Sequence, residues 1–327
     1  MNAISRRHAL RSAALGLALA ALGGLAAAQA AWPAKPLRVV VGFAPGGSTD
    51  VMARLVAQSL TESLGQPVVV DNKPGASGNI AVSEVVRAAA DGHTFLIAPT
   101  SVETANPWLF KSGVLPSRDL VPVASVGKTQ MYLVAKPQIA AANVRELVAL
   151  ARSRPEGLSF ASAGSGTPPH LACELFKQAS GAPMTHVPYR GAAPALQDVM
   201  AGQADFVCDP GIAFPHIRSG KVKLLGIVSA KRSPFFPEVP TVAEQGVQGA
   251  DLDIWFGMWA PRGTPADVVA RMSRELGRAL AQPGLKQRYG DLGAEPVAMD
   301  TGEFRALLAR EGEQLSTLIR EQKIAAE

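Results

Sequence analysis

Ten short apolar runs recur along the chain, separated by segments of helical period. They are Leu37–Phe43, Val68–Asp71, Thr94–Ala98, Val121–Val126, Met131–Ala135, Leu158–Ala161, Thr185–Val187, Asp205–Cys208, Leu224–Val228 and Ile254–Ala260. Several are continuous rather than alternating, the pattern of strands covered on both faces. Between them, Asp50–Leu64 brings Val51, Leu55, Leu60 and Leu64 broadly to one side of a helix. Asn143 caps a helix over Val144–Ser153, with Glu146 three residues on as a capping box. Thr264-Pro265 starts a helix through Ala281, with proline in its first turn. The last helix, about Thr301 to Lys323, carries Phe304, Leu307, Leu308, Leu315, Leu318 and Ile319 at helical spacing. The β-α-β order predicts an α/β fold with mostly parallel sheets.

Two strand-to-helix junctions stand out. Leu37-Arg-Val-Val-Val-Gly-Phe-Ala-Pro-Gly46-Gly47-Ser48-Thr49-Asp50 and Leu158-Ser-Phe-Ala-Ser-Ala-Gly164-Ser165-Gly166-Thr167 lie about 120 residues apart. Each predicts a turn that offers backbone N–H groups and small hydroxyls at the positive end of a helix, where an anion is favoured. Glycine lets the backbone reach a ligand without a Cβ in the way. One such turn in each half of the chain suggests two lobes closing on one small anion.

Residues 1–30 read as an export signal. Arg6, Arg7 and Arg11 precede an apolar stretch from Ala13 to Ala28, and Ala28-Gln29-Ala30 matches a small-x-small cleavage site. Ser5-Arg6-Arg7-His8-Ala9-Leu10-Arg11 matches a twin-arginine signal, with an ordinary secretory signal as the alternative. No later segment is apolar enough for a spanning helix, and no cysteine near the cleavage site offers a lipid anchor. The expected product is soluble and periplasmic.

Composition then narrows the function. Removing 30 of 327 residues leaves 297, enough for two domains. Of 32 basic residues three belong to the signal, so 29 face 27 acidic ones and the formal +5 falls to about +2. With 6% aromatic residues and no Lys/Arg run, nucleic acid is not an expected partner. Cys173 and Cys208 would meet an oxidising compartment, either as a disulfide or as two buried thiols.

Catalytic signatures are missing. The histidines do not form His-Glu-x-x-His, the cysteines lack metal spacing, and no Gly-x-Ser-x-Gly elbow, dinucleotide fingerprint or P-loop occurs. No cofactor, metal or catalytic residue is therefore expected. His170, in the first turn of the helix after Thr167, either holds that turn together or contacts a ligand. Asp50 is expected to fix loop geometry beside the first turn.

The chain resembles the extracytoplasmic receptors of tripartite tricarboxylate transporters, the Bug family, over essentially its whole mature length. The resemblance is carried by Phe43-Ala-Pro-Gly-Gly-Ser-Thr-Asp-Val-Met-Ala-Arg54, Val70-Asp-Asn-Lys-Pro-Gly-Ala-Ser-Gly-Asn79, Ala90-Asp-Gly-His-Thr94 and Ala105-Asn-Pro-Trp108. It continues in Ser162-Ala-Gly-Ser-Gly-Thr167 with His170-Leu171, His186-Val-Pro-Tyr-Arg-Gly191 and Ala201-Gly-Gln-Ala-Asp205. Pro237-Glu-Val-Pro-Thr-Val-Ala-Glu244, Trp255-Phe-Gly257 and Ala260-Pro-Arg-Gly-Thr-Pro265 complete it. It implies an α/β, type II-like periplasmic binding protein of two lobes with the ligand in the interdomain cleft. The expected limits are 31–131 for the first segment of lobe 1, 132–254 for lobe 2 and 255–327 for the C-terminal segment of lobe 1. It further implies a monomer that passes a small carboxylate to membrane permease subunits. Ligand contacts carried over from the family are Phe43, Ala44, Gly46, Gly47, Ser48 and Asp50, then Ser162, Ala163, Gly164, Gly166, Thr167 and His170.

Departures from the family pattern bear on the ligand. Thr100-Ser101-Val102-Glu103 adds Ser101 to the candidates and a carboxylate, Glu103, that either faces a ligand or is a solvated loop residue. Asp209 either meets a ligand N–H or caps the turn before Gly211. With no arginine inside either turn, the expected ligand has one or two carboxylates, with or without an amine, amide or aromatic ring. Two other readings share the cleft: a small hydrolase using Ser165 and His170, and a sensor for a signalling partner.

Overall fold

All ten expected strands form, but the sheets are mixed rather than mostly parallel. The computed structural model describes residues 32–111, 113–321 and 324. The export signal and its cleavage site lie outside the described residues. Residues from Lys35 onward form one unit, which holds every element named below.

The first sheet contains β1 (Leu37–Val41), β2 (Val68–Asn72), β3 (Thr94–Pro99), β4 (Leu120–Thr129), β10 (Ile254–Pro261) and β11 (Ala294–Glu295), in the order β11-β4-β10-β3-β1-β2. The second contains β5 (Tyr132–Ala135), β6 (Leu158–Ser162), β7 (Met184–Pro188), β8 (Phe206–Asp209) and β9 (Lys223–Ile227), in the order β7-β6-β8-β5-β9. β1 pairs in parallel with β2 and β3, and β6 with β7 and β8. β10 runs antiparallel to β3 and β4, and β5 antiparallel to β8 and β9. The cause is the chain's two crossings. Only Gln130 and Met131 separate β4 from β5, so β5 enters the second sheet at the end where its parallel neighbours finish. β10 re-enters the first sheet in the same way.

The principal helices are α1 (Ser48–Leu64), α2 (Asn79–Val86), α3 (Val144–Ser153), α4 (Pro168–Ser180), α5 (Ala192–Met200), α6 (Ala266–Ala281), α7 (Pro283–Asp291) and α8 (Thr301–Glu321). The Asn143 cap of α3 forms, its Oδ1 accepting from Glu146 N, but Glu146 reaches one residue past a capping box: its Oε2 accepts from Ala142 N and its Oε1 from Asn143 Nδ2. Pro265 is the N-cap of α6 rather than part of its first turn, in extended backbone that a proline ring tolerates. β11 is two residues long, too short to leave a periodic signal.

Each sheet has its own core. In the first, Trp259 and Phe304 are fully buried with ring centroids 5.2 Å apart, and Leu96 and Leu307 join them. Gly257 in β10 lies directly under Phe304; a Cβ there would come within 1.9 Å of the ring. In the second, Tyr132, Phe214 and Phe236 pack edge to face, Tyr132 and Phe214 at 4.8 Å. Burying each of these large side chains contributes on the order of 2–3 kcal/mol. Two sheets, each on its own core, give a two-lobed molecule joined by two crossings and by a smaller cluster of Ala105, Leu171 and Ile319, with the ends of β1 and β6 opening into the space between.

Candidate functional site

The turn after β1 is built around one carboxylate. Asp50, buried in the first turn of α1, accepts from Gly46 N at 2.9 Å, Asn72 Nδ2 at 2.9 Å and Arg54 Nε at 3.0 Å. Burial pushes this carboxyl up, yet those three donors outweigh it and hold it below the usual carboxylate range. Asn72 also donates to Phe43 O, and Gly47 N reaches Ala44 O, so the loop is fixed at both ends. What remains free is directional. Among the described residues the backbone N–H groups of Ser48, Thr49 and Asp50 have no acceptor, and the buried Ser48 Oγ has no partner either. These donors sit at the positive end of a 17-residue helix.

The turn after β6 is held more tightly from within. Ser162 Oγ, fully buried, bonds His186 Nε2 at 2.6 Å and accepts from Gly164 N. Gly166 N donates to His170 Nδ1 at 3.0 Å, and Thr167 Oγ1 to Gly164 O at 2.6 Å. Burial, reinforced by neighbouring His186 and Lys177, lowers the His170 imidazole to about 3, so it is neutral and able to accept. His170 therefore holds the turn together. The rings of His170 and His186 lie 4.1 Å apart, and both stack on Phe160. Pro168 and Pro169 carry no N–H, so α4 offers fewer donors than α1. The two turns, alike in sequence, are unequal as anion sites.

Both turns line one narrow cavity of about 30 Å³. Phe43, Gly47, Ser48 and Thr49 come from the first lobe, Ala163, Thr167 and Pro168 from the second. That is room for about two waters, so a larger ligand enters only if the lobes part. Ala44 packs against Gly191, and Phe110 against Gly166, across the mouth. Pro99, Ala192, Pro210 and Phe256 also line the cavity; they come from the end of β3, the start of α5, the turn after β8 and from β10, and had no chemical signature to mark them. Ser101 lies instead in a neighbouring cavity of about 450 Å³ that shares Pro168 and Ile254 with the cleft. Gly164 faces a third space of about 170 Å³ at the mouth.

The two acidic candidates resolve differently. Glu103 is neither a ligand-facing group nor a solvated loop residue: its Oε2 accepts from Trp259 Nε1 at 2.8 Å. Burial raises this carboxyl, against the Trp259 hydrogen bond and Arg305. Asp209 Oδ1 accepts from Gly211 N at 2.7 Å and Ala213 N at 2.9 Å, capping the turn. Its Oδ2, equally buried, has no partner among the described residues. Cys173 and Cys208 are buried free thiols. The hydrolase arrangement does not assemble: His170 Nδ1 is occupied by Gly166 N, and no hydrogen bond joins Ser165 to it among the described residues. No cluster of metal-ligating side chains and no helix long and apolar enough to cross a membrane occurs among the described residues.

The family model described as tripartite tricarboxylate transporter family receptor matches residues 52–324. The chain is 36% identical to protein BugT of Bordetella pertussis over 318 residues, covering 94% of this chain and 96% of the relative. Its fold is similar to the solved periplasmic binding protein BugD, with a TM-score of 0.86 and 35% identity over 90% of this chain and all of that one. It is equally similar to R. palustris Rpa4515, solved with adipate, with a TM-score of 0.87 and 33% identity over 90% of this chain and 99% of that one.

Proposed function

The chain belongs to the tripartite tricarboxylate transporter receptor family, and from that premise we propose that it captures a small mono- or dicarboxylate in the periplasm. The ligand, held between the lobes, is then delivered to the membrane permease subunits of a transporter of that type. The chain acts as a receptor and not as an enzyme.

The observation that carries this reading is Ser48. Its buried hydroxyl and the N–H groups of Ser48, Thr49 and Asp50 are unpartnered donors at one helix end, on the wall of a cleft lined by both lobes. A carboxylate presents up to four acceptor positions and satisfies such donors. The second turn supplies Ala163 and Thr167 from the opposite side. Closure swings 132–254 against 31–131 and 255–327, bending near Tyr132 and Trp255, where the chain crosses between sheets.

Among the described residues no cation lines the narrow cleft. A tricarboxylate brings about three negative charges to a site whose helix end offers at most ~2 kcal/mol. The solved relative Rpa4515 holds a dicarboxylate, adipate, which supports a ligand of lower charge. The test is a thermal-shift and calorimetric series of mono-, di- and tricarboxylates against the mature chain at one ionic strength. A ligand at 100 times its Kd adds roughly 2.7 kcal/mol of apparent stability. Mono- or dicarboxylates should bind best and lose affinity in Ser48→Ala. Tightest binding by citrate, or full affinity without the Ser48 hydroxyl, overturns the reading.

A further inference from the structure

The space of about 170 Å³ at the mouth of the cleft has a different chemistry from the cleft itself. Phe43 and Ala163 line both, so the two compartments adjoin at these side chains. Among the described residues Arg190 is the one charged group lining either compartment. It is exposed, and it takes part in no ion pair or side-chain hydrogen bond within the described protein. By contrast Arg54, at the other side of the first turn, is committed to Asp50 and Asn72.

The backbone that carries Arg190 is fixed. Tyr189 N donates to Ser162 O at 3.1 Å, and Tyr189 Oη donates to Asp198 Oδ2 at 2.6 Å. Gly191, on the other side, lies against Ala44 of the first lobe, where a Cβ would come within 3.0 Å. The guanidinium is therefore tethered at a rigid strand end where the lobes meet, while the head itself has no protein anion to hold. Asp198, the nearest acid in sequence, is taken by the tyrosine hydroxyl.

We propose that Arg190 reads the second carboxylate of an extended dicarboxylate. The first carboxylate sits against the free donors of α1, and the carbon chain passes between Phe43 and Ala163. This rests on the carboxylate reading of the cleft. Arginine suits the task because its planar fork pairs with a carboxylate through two parallel hydrogen bonds. The mouth is solvent-facing, so the contribution is modest and sensitive to salt.

The experiment compares straight-chain diacids of four to six carbons with monoacids of the same length, by calorimetry on the mature chain and on Arg190→Gln. The diacids should lose roughly three- to fivefold in affinity in the variant. Monoacid affinity should be unchanged, and Arg190→Lys should restore part of the diacid preference. The wild-type diacid affinity should also fall more steeply with added salt than that of Arg190→Gln. Diacid affinity within twofold of wild type, or equal losses for both classes, overturns the proposal. If the wild-type chain binds no acid of either class, the carboxylate reading itself fails and the subsite with it.

Discussion

The hydroxyl of Ser77, in the first lobe, donates to the carbonyl of Ser165 in the glycine turn of the second. Ser77 is held at φ 54° and Ala76 at φ 47°, between Gly75 at 135° and Gly78 at 91°. Left-handed backbone at a non-glycine residue costs on the order of 1–3 kcal/mol and persists only where its surroundings fix it. Asn106 Nδ2 does so here, donating to Ser77 O at 3.0 Å and to Asn79 Oδ1 at 3.1 Å. The strained turn presents a hydroxyl across the gap between lobes.

Ser77→Ala keeps the strain and deletes the contact, whereas Ser77→Gly deletes the contact and relieves the strain. Both should weaken ligand binding about two- to fivefold, chiefly through faster dissociation. Ser77→Gly should melt at a higher temperature than Ser77→Ala. Stopped-flow release rates and thermal melts check both points; unchanged release in both variants would make the contact incidental to closure.

Gly166 and Gly47 respond to a side chain for different reasons. A Cβ on Gly166, at φ +78°, would lie 2.7 Å from Cε2 of Phe110 on the opposite lobe. Gly47 has an ordinary φ of −77°, and its Cβ would meet nothing closer than Ala44 O at 3.6 Å. Gly166→Val should therefore impair closure and lower affinity roughly tenfold or more, with partial recovery when Phe110→Ala is added. Gly47→Val should act by filling the 30 Å³ cleft while the fold stays intact. Gly47→Ala should melt close to wild type. Normal affinity in both valine variants, by calorimetry, removes the clamp.

Neutral His170 makes the second turn sensitive to acid. The imidazole titrates near 6.5 in the unfolded chain and at about 3 in the folded one. A depressed value means that the stabilisation is complete above 6.5 and is lost as the pH falls toward 3. The upper bound is ~5 kcal/mol, from the size of the shift. Protonated Nδ1 would also confront the Gly166 N–H it now accepts. The difference in melting temperature between wild type and His170→Gln should shrink steadily from pH 7 to pH 4. Parallel curves would show that this imidazole does not set the acid response.

The fold was readable where burial leaves a pattern. Val39–Val41 and Phe95–Ala98 are apolar without interruption because both faces are covered, and Asn143 announces α3 by its side chain. Strand direction was not readable. Nothing local in Ile254–Pro261 tells that the chain arrives from the other lobe and so runs against β3. In the site, Ser48, Thr167 and the glycines were visible as a motif. Asp50 was readable as a group that fixes the loop; the rest of the division of labour was not, since only the folded turn settles His170 on the loop, commits Ser162 to His186 and Gly164, and leaves Ser48 its own hydroxyl. Pro99, Ala192 and Phe256 carry no chemical mark and reach the cleft only through tertiary packing.

Asp209 offers the last test, because its two oxygens differ. Oδ1 holds Gly211 N and Ala213 N, whereas buried Oδ2 holds nothing. Burial pushes the carboxyl up to about 6, against the pull of those two N–H groups. A raised value means that the folded state favours the protonated form. The associated stability is full below about 3.8 and is lost as the pH rises through 6. Asparagine keeps an oxygen for the two N–H donors and removes the buried charge. Asp209→Asn should therefore be at least as stable as wild type at pH 7.5, by up to ~3 kcal/mol and with a melting temperature at or above it, the difference vanishing below pH 4. A lower melting temperature for the variant at pH 7.5 would mean that the charge is compensated in the fold. The same variant separates ligand classes. Should the chain bind an amino acid through Oδ2, Asp209→Asn loses that ligand while keeping the matching carboxylate without an amine. Equal affinity for both ligands in the variant and in wild type assigns Asp209 to the turn alone.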